Sequence, residues 1–184
     1  MNELTVFTDG ACKGNPGPGG FAAILFFGDR TVEIGGGELD TTNNRMELLG
    51  VIVALGMLKE RTKVHIHSDS KYVCDGVSSW MHKWERNGWK LGGKTKKKHG
   101  KVRHTQPTKP VKNVDLWKQL FALTRKHDVK MTWVPGHKGN VRNEWADRVS
   151  VGMVGRSGGV NNLWIRDTPV KSSQTLQLSK VINL

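Results

Sequence analysis

Residues 4–27 read LTVFTDGACKGNPGPGGFAAILFF, and residues 63–70 read KVHIHSDS. Leu4–Thr8 is short and rich in β-formers, Gly20–Phe27 is an apolar run, and the KGNPGPGG between them is turn chemistry that excludes helix. Lys63–His67 alternates as another strand and stops at Ser68-Asp69-Ser70. Arg30–Gly35 alternates as a strand before a glycine run. Between it and Lys63 lies RMELLGVIVALGMLKE, with Met46, Leu49, Ile52, Val53 and Leu58 at the spacing of an amphipathic helix. Asn44 suits its N-cap, with Glu47 three residues on as in a capping box.

The rest of the chain continues the alternation. Val73, Val77, Trp80, Met81 and Trp84 fall along one face of two short helical pieces. Asp115–His127 reads as helix, Val129–Val134 as strand, and about Val141 to Met153 as a last helix. Three strands followed by helix crossovers predict an α/β fold, a mixed sheet flanked by helices. A right-handed crossover puts the Lys63 strand parallel to the first and beside it. Sites in such sheets gather near the carboxyl ends of strands. Asp9 and Asp69 both sit there.

Composition sets the class of partner. The net charge is +13 over 184 residues, with a pI near 10.0, which favours a polyanion. Between Trp80 and Lys112 there are eleven basic residues and one acid, Glu85, so +10 of the +13 is local. The stretch GGKTKKKHGKVRHTQPTKP within it reads as a protruding loop, interleaved upstream with Trp80, Trp84 and Trp89. Cys12 and Cys74 are too few for a disulfide scaffold and lack zinc-ligand spacing, so they read as free thiols. With no apolar run of membrane-spanning length and no signal-peptide pattern in MNELTVFTDG, the expected location is the cytoplasm, away from membranes.

Four acids carry the chemical reading, and each has an ordinary alternative. Asp9 suits a turn before Gly10, Asp69 a helix cap, Glu47 a capping box, and Asp147 an exposed helical position. Taken together, they converge on one end of the sheet, where four carboxylates repel unless cations neutralise them. Mg²⁺ suits a few carboxylates plus water and phosphate, and Mn²⁺ accepts the same oxygens. Two such ions roughly 4 Å apart serve phosphodiester displacement without a covalent nucleophile.

The blocks FTDGACKGNPGPGGFAAIL, TTNNRMELLGVIVAL, HSDSKYV, GWK, KPVKNVDLW and WVPGHKGNVRNEWAD resemble those of bacterial type 1 ribonuclease H, in that family's order, from about Leu4 to Val149. The resemblance implies the ribonuclease H-like fold, with a five-stranded mixed sheet. It implies an endonuclease that cuts the RNA strand of an RNA–DNA hybrid and leaves 5′-phosphate and 3′-hydroxyl ends. Asp9, Glu47, Asp69 and Asp147 then hold two metal ions, and His137 assists proton transfer or product release. Glu144 matches a further acid near the site. Asn15, Asn43 and Glu47 are expected to touch the RNA strand, and Thr42 and Asn43 to seat a phosphate of the DNA strand. Trp80 and Trp84 are expected against the DNA strand, with core packing as the competing role, and Lys96, Lys97 and Lys98 on the hybrid's phosphates. No small-molecule cofactor is implied, and the family suggests a monomer.

Three features depart from the family pattern. The segment between Gly92 and Lys109 is longer and richer in lysine, the last helix reads WADRVSVGM where a DELA-type ending is usual, and the tail after Gly155 has no counterpart. The expected organisation is a catalytic domain over 1–154, with its basic protrusion at about 80–112, and an extension over 155–184 in which Leu176, Leu178 and Val181 suit a small strand or helix. A non-catalytic nucleic-acid-binding module and another nuclease of the same fold are the competing functions. Four acids facing a polyanion speak against the first, and TTNNRMEL with KPVKNVDLW against the second.

Overall fold

The structure, a computed structural model, describes residues 3–91, 95–98, 101–104, 109–136 and 139–169. Three antiparallel strands open it: β1 (Leu4–Cys12), β2 (Gly17–Phe27) and β3 (Arg30–Thr41). Helix α1 (Asn43–Gly56) crosses to β4 (Lys63–Ser68), which lies parallel to β1 with Thr8 opposite Ser68, as the crossover rule requires. Asp9 and Asp69 therefore leave neighbouring strands at the same level.

A helical stretch follows, made of α2 (Lys71–Asp75), a π-helical turn (Gly76–Trp80) and α3 (Met81–Arg86). Then come β5 (Lys90–Leu91), β6 (Thr95–Lys98), β7 (Lys101–His104) and β8 (Lys109–Pro110). Helix α4 (Val114–Lys126), β9 (Asp128–Trp133), parallel to β4, and α5 (Val141–Met153) complete the expected order. Among the described residues no helix is long and apolar enough to cross a membrane.

The main sheet has the order β10-β3-β2-β1-β4-β9, six strands rather than five. The added strand, β10 (Trp164–Pro169), comes from the segment expected to be an extension and pairs antiparallel with β3. Its six residues have no clear alternation of burial, so its conformation is set by its partner rather than by its own pattern. Ion pairs Arg30–Asp167 and Arg166–Glu33 fasten it. The positions of Leu176, Leu178 and Val181 lie outside the described residues.

Strand β3 also runs through the glycines that seemed to end it. A Cβ on Gly35 would lie 2.7 Å from Met153 Cγ, and one on Gly37 2.5 Å from Met153 O, so these glycines admit α5 rather than make a turn. The basic stretch forms two short antiparallel pairs, β5–β8 and β6–β7, instead of a loop, with Lys96 opposite Arg103 and Lys98 opposite Lys101.

One face of the sheet carries the main core. Val6, Phe21, Leu25, Ile34 and Ile66 pack with α1, whose residues from Met46 to Leu55 are all buried, and Trp117 and Leu120 of α4 join them. Helix α1 is thus enclosed on every side rather than amphipathic. The other face is covered by α5 over a smaller apolar group of Phe7, Ile24 and Ala146, with Phe26, Trp145 and Val149 at its margin.

Candidate active site

The N-cap of α1 is Thr42, in extended backbone, and not Asn44. Glu47 therefore lies too far along the helix to close a capping box, and its side chain is free for another task. It is 5% exposed, as is Asp9 at the end of β1. Gly10 makes this possible: a Cβ there would lie 2.4 Å from the Glu47 amide nitrogen, so β1 and α1 meet backbone to backbone.

Carboxylate oxygens of Asp9, Glu47 and Asp69 lie within 4.8 Å of one another. They line an open cleft of about 460 Å³ together with Asp147, Asn43, Asn44, Ser70, Lys71 and Tyr72. Asp147 shares the cleft but stands outside the tight group of three. All four acids selected from the sequence are thus on one site, drawn from β1, α1, the end of β4 and α5.

Each inner acid has one neutral partner. Ser150 Oγ donates to Asp9 Oδ2 at 2.8 Å, Asn143 Nδ2 to Asp69 Oδ2 at 3.4 Å, and Asn43 Nδ2 to Glu47 Oε1 at 3.4 Å. Trp133 Nε1 donates to the Asp69 carbonyl at 2.9 Å, and Lys71 sits over the Trp133 ring. Ser150, Asn143 and Trp133 were not found by sequence reasoning. Ser150 and Asn143 stand three residues after and four before Asp147, a helical spacing that marks the same side once Asp147 is placed.

The acids are poorly compensated. Burial first, then the charges of Asp69 and Asp147, push Asp9 up to about 7 despite the Ser150 hydrogen bond. Burial, then Asp9 and Asp69, push Glu47 well above the ordinary carboxylate range. Glu47 Oε2 is buried with no hydrogen-bond partner. Among the described contacts no basic side chain pairs with these acids: Lys71 lines the cleft but sits over the Trp133 ring, and Arg45 is engaged by Asp115 at 2.8 Å. A purely oxygen donor set, mutual repulsion and an orphaned carboxylate oxygen together fit a hard divalent cation.

The remaining selected residues are more dispersed. Asn15 is exposed, and its Oδ1 accepts from the Asn43 amide at 3.2 Å, so Asn15, Thr42 and Asn43 form one rim above Glu47. Trp80 is 37% exposed, whereas Trp84 packs into the core with its ring 5.2 Å from Trp117. Lys96, Lys97 and Lys98 lie on β6. Glu144 accepts from the Gly139 amide at 3.2 Å. His137 lies outside the described residues.

Comparison with known proteins agrees with this geometry. The family model for RNase H matches residues 1–154. A protein named Ribonuclease H from Mesorhizobium japonicum is 51% identical over 148 residues, covering 80% of this chain and 76% of that one. Another of that name, from Rhizobium meliloti, is 49% identical over 150 residues, covering 82% and 89%. Among solved structures, LC9-RNase H1, a type 1 RNase H with the type 2 active-site motif, superposes with a TM-score of 0.69 at 30% identity, covering 89% of this chain and 78% of that one. By sequence over its first 154 residues and by its fold, this chain is an enzyme of the ribonuclease H family.

Proposed function

We propose that the enzyme hydrolyses the RNA strand of RNA–DNA hybrids endonucleolytically, acting as a monomer, at the cleft formed by Asp9, Glu47, Asp69 and Asp147. The observation that carries this reading is the mutually repelling trio of carboxylates, Asp9 and Glu47 buried and Asp69 half-buried, with Glu47 Oε2 lacking any hydrogen-bond partner. These four residues would hold two Mg²⁺ ions, with Mn²⁺ as the alternative. When bound, such a pair supplies water activation and stabilisation of the leaving oxygen, which leaves a 5′-phosphate and a 3′-hydroxyl.

The chain's own residues do the rest. Ser150 and Asn143 hold Asp9 and Asp69 from behind, so their carboxylates face the cleft. Asn43 lines the same opening, and with Asn15, which accepts from its amide, and the adjacent Thr42 it would offer amides and a hydroxyl to sugars and phosphates. Hybrid preference then rests on the 2′-hydroxyls of one strand and on groove shape rather than on base reading. Exposed Trp80 and the lysines of β6 suit the DNA strand and flanking phosphates, and His137 suits proton transfer or product release.

Labelled RNA–DNA hybrid, duplex DNA and duplex RNA are each incubated with Mg²⁺, with Mn²⁺ or with chelator. Only the RNA strand of the hybrid should be cut, and only with metal. Asp9→Asn should lose at least about a thousandfold in rate, about 4 kcal/mol at the barrier, while still binding hybrid. Cutting in chelator, or equal cutting of duplex DNA, overturns the proposal.

A further inference from the structure

One buried charge has no part in the cleft. Glu33 on β3 is 1% exposed and points to the side of the sheet that α5 covers. Its Oε1 accepts from Arg166 Nε at 2.6 Å, and its Oε2 accepts from Trp145 Nε1 at 3.1 Å. Arg166 stands directly across from Glu33 on β10, and Trp145 is on α5. A single carboxylate thus ties a strand that lies beyond the family match to the helix that carries Asp147 and Ser150.

From this linkage we infer that Arg166, Glu33 and Trp145 are positioning residues for the active site: they fix the roll of α5, and with it Asp147 and the Ser150–Asp9 hydrogen bond. The inference rests on the reading of the four acids as the reacting site. Along α5, Asn143, Ala146, Ser150 and Met153 form the buried stripe. Trp145 and Asp147 are two residues apart, about 200° round the helix, and so stand on opposite flanks of that stripe.

The middle of the stripe meets the sheet through backbone and offers little side-chain interlock. Its side chains are small over Ala146 and Ser150, and beneath them Gly20 presents bare backbone, where a Cβ would meet Ser150 O at 2.2 Å. On one flank Arg142 lies over the Phe26 ring at 4.4 Å, and Trp145 adds a directed hold, edge-on to Phe26 at 5.9 Å and bonded to Glu33. A roll of about 10° at a side-chain radius of about 5–6 Å moves the opposite flank by about 1 Å. Shifts of that size cost on the order of a hundredfold in rate. Arg166 keeps Glu33 in place, because a buried carboxylate without its cation would turn to another partner.

The test uses the full chain. Arg166→Ala, Arg166→Lys, Trp145→Phe and Asp9→Asn are compared with wild type on hybrid, at a temperature where circular dichroism shows each folded. Trp145→Phe keeps the Glu33–Arg166 pair and an aromatic ring, so it probes the linkage even should Arg166→Ala prove too unstable. Both Arg166→Ala and Trp145→Phe should lower kcat about tenfold or more, with KM for hybrid within about twofold, and Arg166→Lys should recover most of the loss. In metal-free protein, the Asn143, Asp147 and Ser150 amide resonances should shift in both. Wild-type kcat in folded Trp145→Phe, a rise confined to KM, or resonance shifts confined to β3 and β10 would sink the inference while leaving the reading of the cleft intact. Undiminished cutting by Asp9→Asn would instead sink that reading.

Discussion

Asp9 holds its proton up to about pH 7 in the folded chain, against about 3.9 for an exposed aspartate. A carboxyl raised in this way contributes stability that is fully present below the unfolded value and is lost as pH rises through the folded one. Metal-free protein should therefore be destabilised by Asp9 at pH 8 and not at pH 4. In chelator, Asp9→Asn should melt several degrees above wild type at pH 8, with the gap closing toward pH 4–5; a pH-independent gap in thermal unfolding contradicts the assignment. Adding Mg²⁺ at pH 8 should raise the Tm of wild type and do so far less in Asp9→Asn, because a ligand of the native state stabilises it by mass action. Gly136 offers a finer probe, since a Cβ there would lie 2.6 Å from Asp69 Oδ2. Gly136→Ala should displace that carboxylate and lower kcat about ten- to a hundredfold with little change in Tm, measured on hybrid and by calorimetry. The four acids were legible because each lies in or next to an element that the pattern of the sequence marks: Asp9 in β1, Glu47 in α1, Asp69 just after β4 and Asp147 in α5. Ser150 and Asn143 were not, since a helical Ser or Asn carries no signal until its partner's position is known.

Elements were read well where local pattern decides them and poorly where a partner does. The order of strands and helices, and the parallel placement of β4 beside β1, followed from periodicity and handedness. The N-cap of α1 moved from Asn44 to Thr42 because β1 closes on the helix at Gly10, a contact invisible to a local rule. Gly35 and Gly37 of β3 were misread for the same reason: they, like Gly20 of β2, mark where α5 comes close. Gly20→Ala should accordingly cost about 1–3 kcal/mol or more by denaturant unfolding, as its Cβ meets backbone that cannot yield. In the ribbon of β6 and β7, Lys96 pairs with Arg103 and Lys98 with Lys101. Replacing Lys96, Lys97 and Lys98 by Ala in an Asp9→Asn background should flatten the plot of log affinity against log salt by up to about 2–3, at about 0.9 per phosphate contact. An unchanged slope would mean these lysines never meet the hybrid.

At the scale of the whole molecule, charge is divided by place. The stretch from Trp80 to Lys112 holds +10 of the +13, so the remainder of the chain is close to neutral and contains the acidic cleft. On the proposed reading this division keeps attraction and chemistry apart: the basic region would gather a polyanion, and the acidic cleft would admit it only with cations. The sixth strand has a separate bearing on how the molecule behaves in company. With Trp164–Pro169 in place, the outward row of amides and carbonyls along Arg30–Gly35 is already paired, and the sheet's border on that side becomes a six-residue strand ending in proline. A protease that clipped the chain before Trp164 would strip that border and leave a longer, flatter template for a second copy to join. Such nicked enzyme should elute from a sizing column as concentration-dependent oligomers, whereas the intact chain should not.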